Sequence, residues 1–352
     1  MFLAGGAAGS VLTPTAWKLT DDISIWTQNW PWIPRIPQGA VDIKPSLLKL
    51  GAAEYGIRIN RVNTQPVTAS GNPEHPLSLG GIDPLGAASV QLLYSPSRVS
   101  GPLLKDEQGG FKSVSWTKAT ELLLDKLKPL KGRSDALACL SGDLTGSTPE
   151  ILSKFLRAMG SSHLYFQSAD GLTLNRVWKD LMQGQGQIGF DQEKSDLLLA
   201  LEPDLLESWG TPVKNQKLFG RGITELIYAG AMQNNTAAVA RSWLPIHPGS
   251  SGHLALALAY HLLQSGRQPH STPRGFKAFR EYVLSRYTPE QAERKTGASA
   301  AAVRNLAKKL QRAERPLVIS GSTTGTGAPG FPFFAGCALN LLLNRINAPG
   351  GL

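Results

Sequence analysis

Residues 196–209 read DLLLALEPDLLESW: one acidic residue, an unbroken apolar run from Leu197 to Leu201, a Glu-Pro break and a second apolar group. A short apolar run closed by a turn signal is the pattern of a strand covered on both faces, and such strands belong to parallel sheets. Working outward, Ala136–Leu140, Leu226–Ala229 and Leu317–Ser320 repeat the pattern of the strand at Asp196–Leu201. Helical periodicity fills the intervals. Ser115–Leu127 places Trp116, Ala119, Leu123 and Leu127 on one face. Ser147-Thr148-Pro149-Glu150 signals a helix start, followed by Ile151, Leu152, Phe155, Leu156 and Met159 as a buried stripe. Further helices are expected at His253–Leu263, Pro289–Thr296, Ala300–Arg312 and the apolar Ala335–Leu343. Strands separated by helices predict an α/β chain with parallel, doubly wound sheets.

The chain before residue 103 reads differently. Phe2–Leu12 (FLAGGAAGSVL) is apolar but far short of the ~20 residues that span a bilayer, and it suits the mild core of a twin-arginine export signal whose arginines would precede Met1. Trp26, Trp30 and Trp32 lie among prolines in Thr20–Pro45, a composition for an extended arm on its own core or on a partner. Tyr55–Thr68 alternates apolar and polar residues as a half-buried strand does, and Gly71-Asn72-Pro73 makes a turn that His75 can order by hydrogen bonding.

Composition narrows the chemistry. The formal charge is +10, yet the 36 basic residues are scattered, with no dense Lys/Arg block among aromatics, so no nucleic-acid partner is expected; the basic surface reads as solvated, with a nucleotide, acidic lipid headgroups or an acidic electron-transfer partner as lesser options. The two cysteines, Cys139 on a strand and Cys337 on an apolar helix, read as core packing. They cannot supply the four thiolates of an iron–sulfur cluster or a disulfide framework. Gly249-Ser250-Ser251-Gly252 is one residue short of a G-x-S-x-G nucleophile elbow, with His247 and His253 beside it as loop and helix-surface residues, which leaves a hydrolase or transferase as a distant alternative. His163, His261 and His270 carry no constellation. Glu202 with Asp204, and Asp21 with Asp22, are read as solvated pairs without a matching base. An internal echo stands out: Ser141-Gly142-Asp143-Leu144-Thr145-Gly146 and Ser320-Gly321-Ser322-Thr323-Thr324-Gly325 both read S-G-x-x-T-G after a strand, where doubly wound sheets bind nucleotides, although glycines there suit tight turns equally well.

Several segments in order resemble the molybdopterin (bis-guanine-dinucleotide) oxidoreductase family: 71–76 (GNPEHP), 80–86 (GGIDPLG), 91–103 (QLLYSPSRVSGPL), Trp116 with its helix, 196–209, 243–250 (WLPIHPGS), 287–290 (YTPE) with Thr296-Gly297, and 340–351 (NLLLNRINAPGG). The likeness runs from about Tyr55 to the last residue. Within the family, the Trp26–Pro34 arm and a degenerate first domain are most similar to the molybdopterin-like large subunits of membrane-bound menaquinone reductase complexes, with the related subunit of alternative complex III second.

Departures from the family pattern shape the functional expectation. Where the family carries cluster cysteines, residues 47–56 read LLKLGAAEYG, and Asp83 stands at the later cysteine position; alanine and leucine offer iron no soft donor. The metal position falls near Gln167-Ser168-Ala169-Asp170-Gly171, where Ser168 or Asp170 is the remaining oxygen ligand, and Ser251 replaces an aspartate that pairs with guanine. The resemblance therefore implies a non-catalytic subunit without catalytic or metal-binding residues, iron–sulfur cluster or, most simply, any cofactor. If molybdopterin guanine dinucleotide is retained, Gly142, Ser250 and Ser251 would bind it. The implied partners are multihaem cytochrome c, iron–sulfur and integral membrane quinone-binding subunits at the periplasmic face of the cytoplasmic membrane. An active molybdenum or tungsten enzyme with an oxygen ligand is the alternative. The expected organisation is a signal remnant (1–19), a degenerate iron–sulfur-type domain with the Trp/Pro arm (20–103), an α/β domain (104–160 with 317–352), a second, Rossmann-like domain (161–316) and a carboxyl-terminal domain beyond residue 352.

Overall fold

The computed structural model describes residues 39–50, 53–143, 146–167 and 169–352. The expected signal remnant, the tryptophan arm from Trp26 to Pro34, the Asp21–Asp22 pair and Ser168 lie outside them. The described chain falls into a small unit, 39–44 with 59–68, and a large unit, 45–58 with 69–352.

Three strands, β1 (Val41–Leu50), β2 (Ala53–Val62) and β3 (Gln65–Gly71), form a sheet in that order. In the small unit Asn63 and Thr64 both take positive φ, 49° and 74°, and make the two-residue turn that splits the single strand expected at Tyr55–Thr68. Arg61 grips Asp42 there through Nε, 2.8 Å from Oδ1.

The large unit continues with α1 (Pro84–Ala88), a hairpin of β4 (Leu103–Lys105) and β5 (Phe111–Ser113), α2 (Trp116–Leu127), β6 (Cys139–Ser141), α3 (Ser147–Met159) and β7 (Leu164–Phe166). β6 and β7 pair in parallel as a two-stranded sheet. The amphipathic pattern forms α2 and α3 as expected, but the expected burial is not observed: α2 has no buried residue, with Trp116 73% and Leu123 57% exposed, and α3 buries Leu156 but leaves Ile151 exposed. Cys139 is half-buried on β6 rather than packed in a core.

The chain then runs through α4 (Asp170–Asp180), β8 (Leu197–Leu201), α5 (Pro212–Gly220), β9 (Glu225–Gly230), α6 (Asn235–Val239), β10 (Ser242–Pro245), α7 (Ser251–Gln264), α8 (Phe276–Arg286), α9 (Pro289–Thr296), α10 (Ala300–Arg312), β11 (Pro316–Ser320) and α11 (Gly330–Leu342). The four strands form one parallel sheet in the order β10-β9-β8-β11. β8 sits inside it, which explains its unbroken apolar run. Leu197, Leu199 and Leu201 join Ile227, Ala229 and Val318 against α7, α10 and α11, while Leu198 and Ala200 join Leu226, Tyr228, Leu317 and Ile319 against α5 and α6. The fold class is the expected one, but the sheets cross the expected domain division. β11, grouped with 104–160, is a neighbour of β8, and β7, grouped with the second domain, pairs with β6.

Asn340 on α11 finishes the sheet. Its side-chain amide lies 1% exposed and takes the place of a strand residue: Oδ1 accepts the Val318 N–H at 3.0 Å, and Nδ2 donates to the Val318 carbonyl at 2.7 Å.

Candidate functional site

The order β10-β9-β8-β11 places a reversal of chain direction across the sheet between β8 and β11, so the loops leaving these two strands bracket the crevice where doubly wound sheets hold ligands. Both loops carry candidates. After β8 come Glu202 and Pro203; after β11 come Gly321, Ser322 and Thr323. A cavity of about 390 Å³ opens here, lined by Glu202, Gly249, Gly321, Ser322 and Thr326 among others. A second, of about 490 Å³, is lined by Gly142, Gln167, Asp170, Trp209 and Thr326. Thr326 borders both.

The three residues expected to bind a pterin nucleotide do not converge. Gly142 follows β6 and lines the larger cavity. Ser250 and Ser251 are buried where α7 begins, at 4% and 0% exposure. Ser250 Oγ donates to the His247 carbonyl at 2.7 Å, and Ser251 Oγ donates to Glu202 Oε2 at 2.6 Å. Neither hydroxyl meets an imidazole nitrogen, so the abbreviated elbow carries no nucleophile–base pair. The two S-G-x-x-T-G segments do end strands β6 and β11, but only the first runs straight into a helix; after the second, α11 starts at Gly330.

Glu202 and Asp204 are not a solvated pair, and this corrects the sequence reading. Asp204 is 4% exposed, and its Oδ1 accepts from Thr236 Oγ1 at 2.7 Å. Glu202 sits at φ +75°, a conformation that side chains with a Cβ rarely adopt. Its backbone is clamped: the N–H donates to the Ala229 carbonyl at 2.8 Å, and the carbonyl accepts from the Tyr228 hydroxyl at 3.2 Å. The carboxylate then reaches the start of α7, with Oε1 accepting the Gly249 N–H at 3.0 Å and Oε2 the Ser251 hydroxyl. The helix dipole and charge-assisted bonds both favour an anion there. Burial, followed by the charges of Asp204 and Glu202, pushes the Tyr228 phenol up to about 12.

Asp170, at the expected metal position, is 2% exposed at the first residue of α4. Its Oδ2 accepts the Ser322 N–H at 2.5 Å, and Ser322 Oγ lies 3.0 Å from both carboxylate oxygens. The Asp170 N–H donates to the Gly325 carbonyl at 3.0 Å. Both oxygens of Asp170 are thus engaged by Ser322. Gly321 shows how closely the two loops meet: a Cβ there would lie 2.8 Å from Pro203 Cβ and 3.1 Å from Asp170 Oδ2. Lys49, which also borders the larger cavity, is paired with Asp143 at 3.5 Å.

Asp83, at the later cysteine position, is 4% exposed and caps α1, its Oδ1 accepting the Gly86 N–H at 2.7 Å. The stretch matched to the earlier cysteines supplies the end of β1 and the start of β2, where Ala53 and Tyr55 are buried. No group of three or more His, Cys, Asp or Glu residues that could hold a metal ion occurs among the described residues. Cys337 is buried on α11, and burial pushes its thiol up to about 12, so it stays a neutral packing group.

Histidines order the surroundings. His75 Nδ1 lies 2.8 Å from Ser78 Oγ and accepts the Ser78 N–H, so it does order the turn after β3. His253 is not on the helix surface as expected; it is half-buried, 2.8 Å from Tyr287 Oη through Nδ1 and packed against Phe331. Burial, then the Lys295 ammonium, lowers its pKa below 6.5, and burial with Arg304 does the same for His261. The fold thus favours the neutral rings, so their contribution is intact above about pH 6.5 and is lost as pH falls below it towards the folded-state values. Thermal melts should show stability declining on acidification from about pH 7 to about pH 5, and a His253→Gln/His261→Gln protein should show a shallower decline. An unchanged slope would remove these rings as the cause.

A profile described as molybdopterin oxidoreductase matches residues 98–350. The chain belongs to the molybdopterin oxidoreductase family. It is 44% identical over 358 aligned residues to a Nitratidesulfovibrio vulgaris protein named menaquinone reductase, molybdopterin-binding-like subunit; the alignment covers 100% of this chain and 51% of that protein. It is 24% identical to the molybdopterin-containing subunit of the arsenate respiratory reductase of a Shewanella species, over 80% of this chain and 38% of that one. The chain thus spans about half, or less, of the length of these relatives. Among solved structures, acetylene hydratase from Pelobacter acetylenicus superposes with a TM-score of 0.63 over 86% of this chain and 44% of that one, at 17% identity, and shows the same α/β fold.

Proposed function

We propose that the chain acts within a molybdopterin-oxidoreductase-like subunit of a menaquinone-reducing respiratory complex, as a scaffold that holds redox subunits rather than as a redox centre. The 44% identity to a protein of that name supports the assignment to this branch of the family. The observation that carries the scaffold reading is Asp83, where the resemblance leads one to expect a cluster thiolate. A carboxylate there is spent on a backbone amide, and the strands β1 and β2 replace the other cluster ligands with apolar residues.

The proposed partners are multihaem cytochrome c, iron–sulfur and membrane quinone-binding subunits at the periplasmic face, reached through twin-arginine export. The formal charge of +10 suits an acidic electron-transfer partner, and the uncovered Trp116, Leu123 and Leu140 suit contact with further polypeptide. No helix among the described residues is long and apolar enough to cross a membrane.

Elemental analysis for molybdenum, tungsten and iron, with fluorescence assay of extracted pterin, on the full-length subunit separated from its partners tests the proposal. All four should be far below one per chain. Stoichiometric molybdenum or tungsten with pterin would instead establish the active-enzyme reading, and stoichiometric iron would overturn the account of Asp83.

A further inference from the structure

The family's cofactor is an anion: each dinucleotide carries a pyrophosphate, and doubly wound sheets hold such groups on backbone N–H donors at the carboxyl ends of their strands. Two donor sets of this kind are present. One is the start of α7, with the Gly249 N–H and the Ser251 hydroxyl; the other is the loop after β11, with the N–H and hydroxyl of Ser322. Each is already bound to a carboxylate of the chain itself, Glu202 in the first and Asp170 in the second. The carboxylates come from different elements, the loop after β8 and the start of α4, so the coincidence is not the product of one local turn. Between them Gly321 packs against Pro203 and Asp170, so the chain's own atoms narrow the crevice between β8 and β11, where the cavity of about 390 Å³ remains.

We propose that Glu202 and Asp170 are internal anions occupying the two donor sets that an anionic ligand would need here, and that they bar phosphate-bearing ligands from this site. The proposal rests on the scaffold reading and deepens it by naming the residues that keep the scaffold empty. A phosphate approaching Gly249 meets a donor already satisfied and a negative charge beside it; to bind, it must expel Glu202 or accept like-charge repulsion. The lysine bordering the larger cavity, Lys49, already faces the Asp143 carboxylate at 3.5 Å, and no lysine or arginine lines the cavity beside Glu202 among the described residues. The backbone of Glu202 adds support. Positive φ is the conformation of glycine, and the chain holds a glutamate in it while its carboxylate reaches α7.

The backbone also supplies a clean test. Glu202→Gly removes the carboxylate and suits φ +75°, so the fold should survive, which circular dichroism and a thermal melt can verify. Asp170→Asn keeps the shape and an acceptor for Ser322 while removing the second charge. Isothermal titration of the full-length protein with inorganic pyrophosphate and with GDP should give no saturable binding for the wild type. Glu202→Gly should bind pyrophosphate at least about tenfold more tightly, Glu202→Gly/Asp170→Asn more tightly again, and Ser251→Ala added to Glu202→Gly should abolish the gain. Saturable binding of either probe by the wild type, at the strength of the variant, overturns the proposal. So does a folded Glu202→Gly protein that binds no better than wild type. Should Glu202→Gly misfold, Glu202→Gln, which neutralises the charge in place, carries the same comparison. Failure here with metal- and pterin-free protein leaves the scaffold reading standing, whereas pterin in the purified protein removes that reading whatever the titrations show.

Discussion

Replacing Asn340 by leucine should cost about 3 kcal/mol of stability, the largest loss expected from one side chain outside the apolar core. Leucine keeps the branched heavy-atom shape of the amide with somewhat more bulk, so most of the loss is expected from the hydrogen bonds. It leaves the N–H and the carbonyl of Val318, both buried, without partners, and each orphaned group costs about 1–3 kcal/mol. At the size of this unit that is a fall in melting temperature of roughly 5 °C. A denaturant or thermal melt of Asn340→Leu within about 0.5 kcal/mol of wild type would show that the edge of β11 needs no such cover.

Gly56→Ala is the second large effect. A methyl group on Gly56 would sit 2.1 Å from His75 Cγ and 2.4 Å from His75 Cβ, too close for the ring to escape by rotating its far end. Gly56 also accepts the Asn72 N–H through its carbonyl at 2.9 Å, so moving its backbone loosens the turn that His75 and Ser78 organise. A loss of about 2–3 kcal/mol is expected, in the range of overpacked cores. Because the clash is with one side chain, Gly56→Ala/His75→Ala should lose less than the sum of the two single variants. Strict additivity in equilibrium unfolding would place the strain elsewhere.

The sheet is legible in the sequence because burial on both faces leaves a plain mark there. β8, β9 and β11 are nearly uninterrupted runs of apolar residues, and the helices α7, α9, α10 and α11 carry start signals or apolar stripes where helices are expected. β10 escapes such reading, since Ser242–Pro245 is short, largely exposed and ends in proline. The turn at Asn63-Thr64 escapes it because neither residue is glycine, although asparagine tolerates positive φ. The apolar stripe of α2 is visible as a stripe, but none of its residues is buried; periodicity reports which face is apolar and not what lies against it.

The site is legible by region rather than by residue. Strand ends and the second S-G-x-x-T-G segment point to the crevice after β8 and β11, with Ser250 and Ser251 beside it, whereas the first segment follows β6. Glu202 looks solvated in the sequence because its partners, Gly249 and Ser251, are nearly fifty residues away, a pairing no local pattern reveals. The available signal is a glutamate directly after a fully buried strand and before proline, where a solvated side chain gains little. Asp170 stands out for the wrong property. Its position suggests a metal ligand, whereas its burial and its bonds to Ser322 make it a clasp between α4 and the loop after β11.

The amide of Asn340 also limits how this protein can be recognised. With the outward N–H and carbonyl of Val318 taken, β11 cannot template an added strand in its middle, the route by which exposed sheet borders recruit peptides or self-associate. Association along that border is discouraged by one side chain, and a neighbouring polypeptide has to grip helices and loops instead.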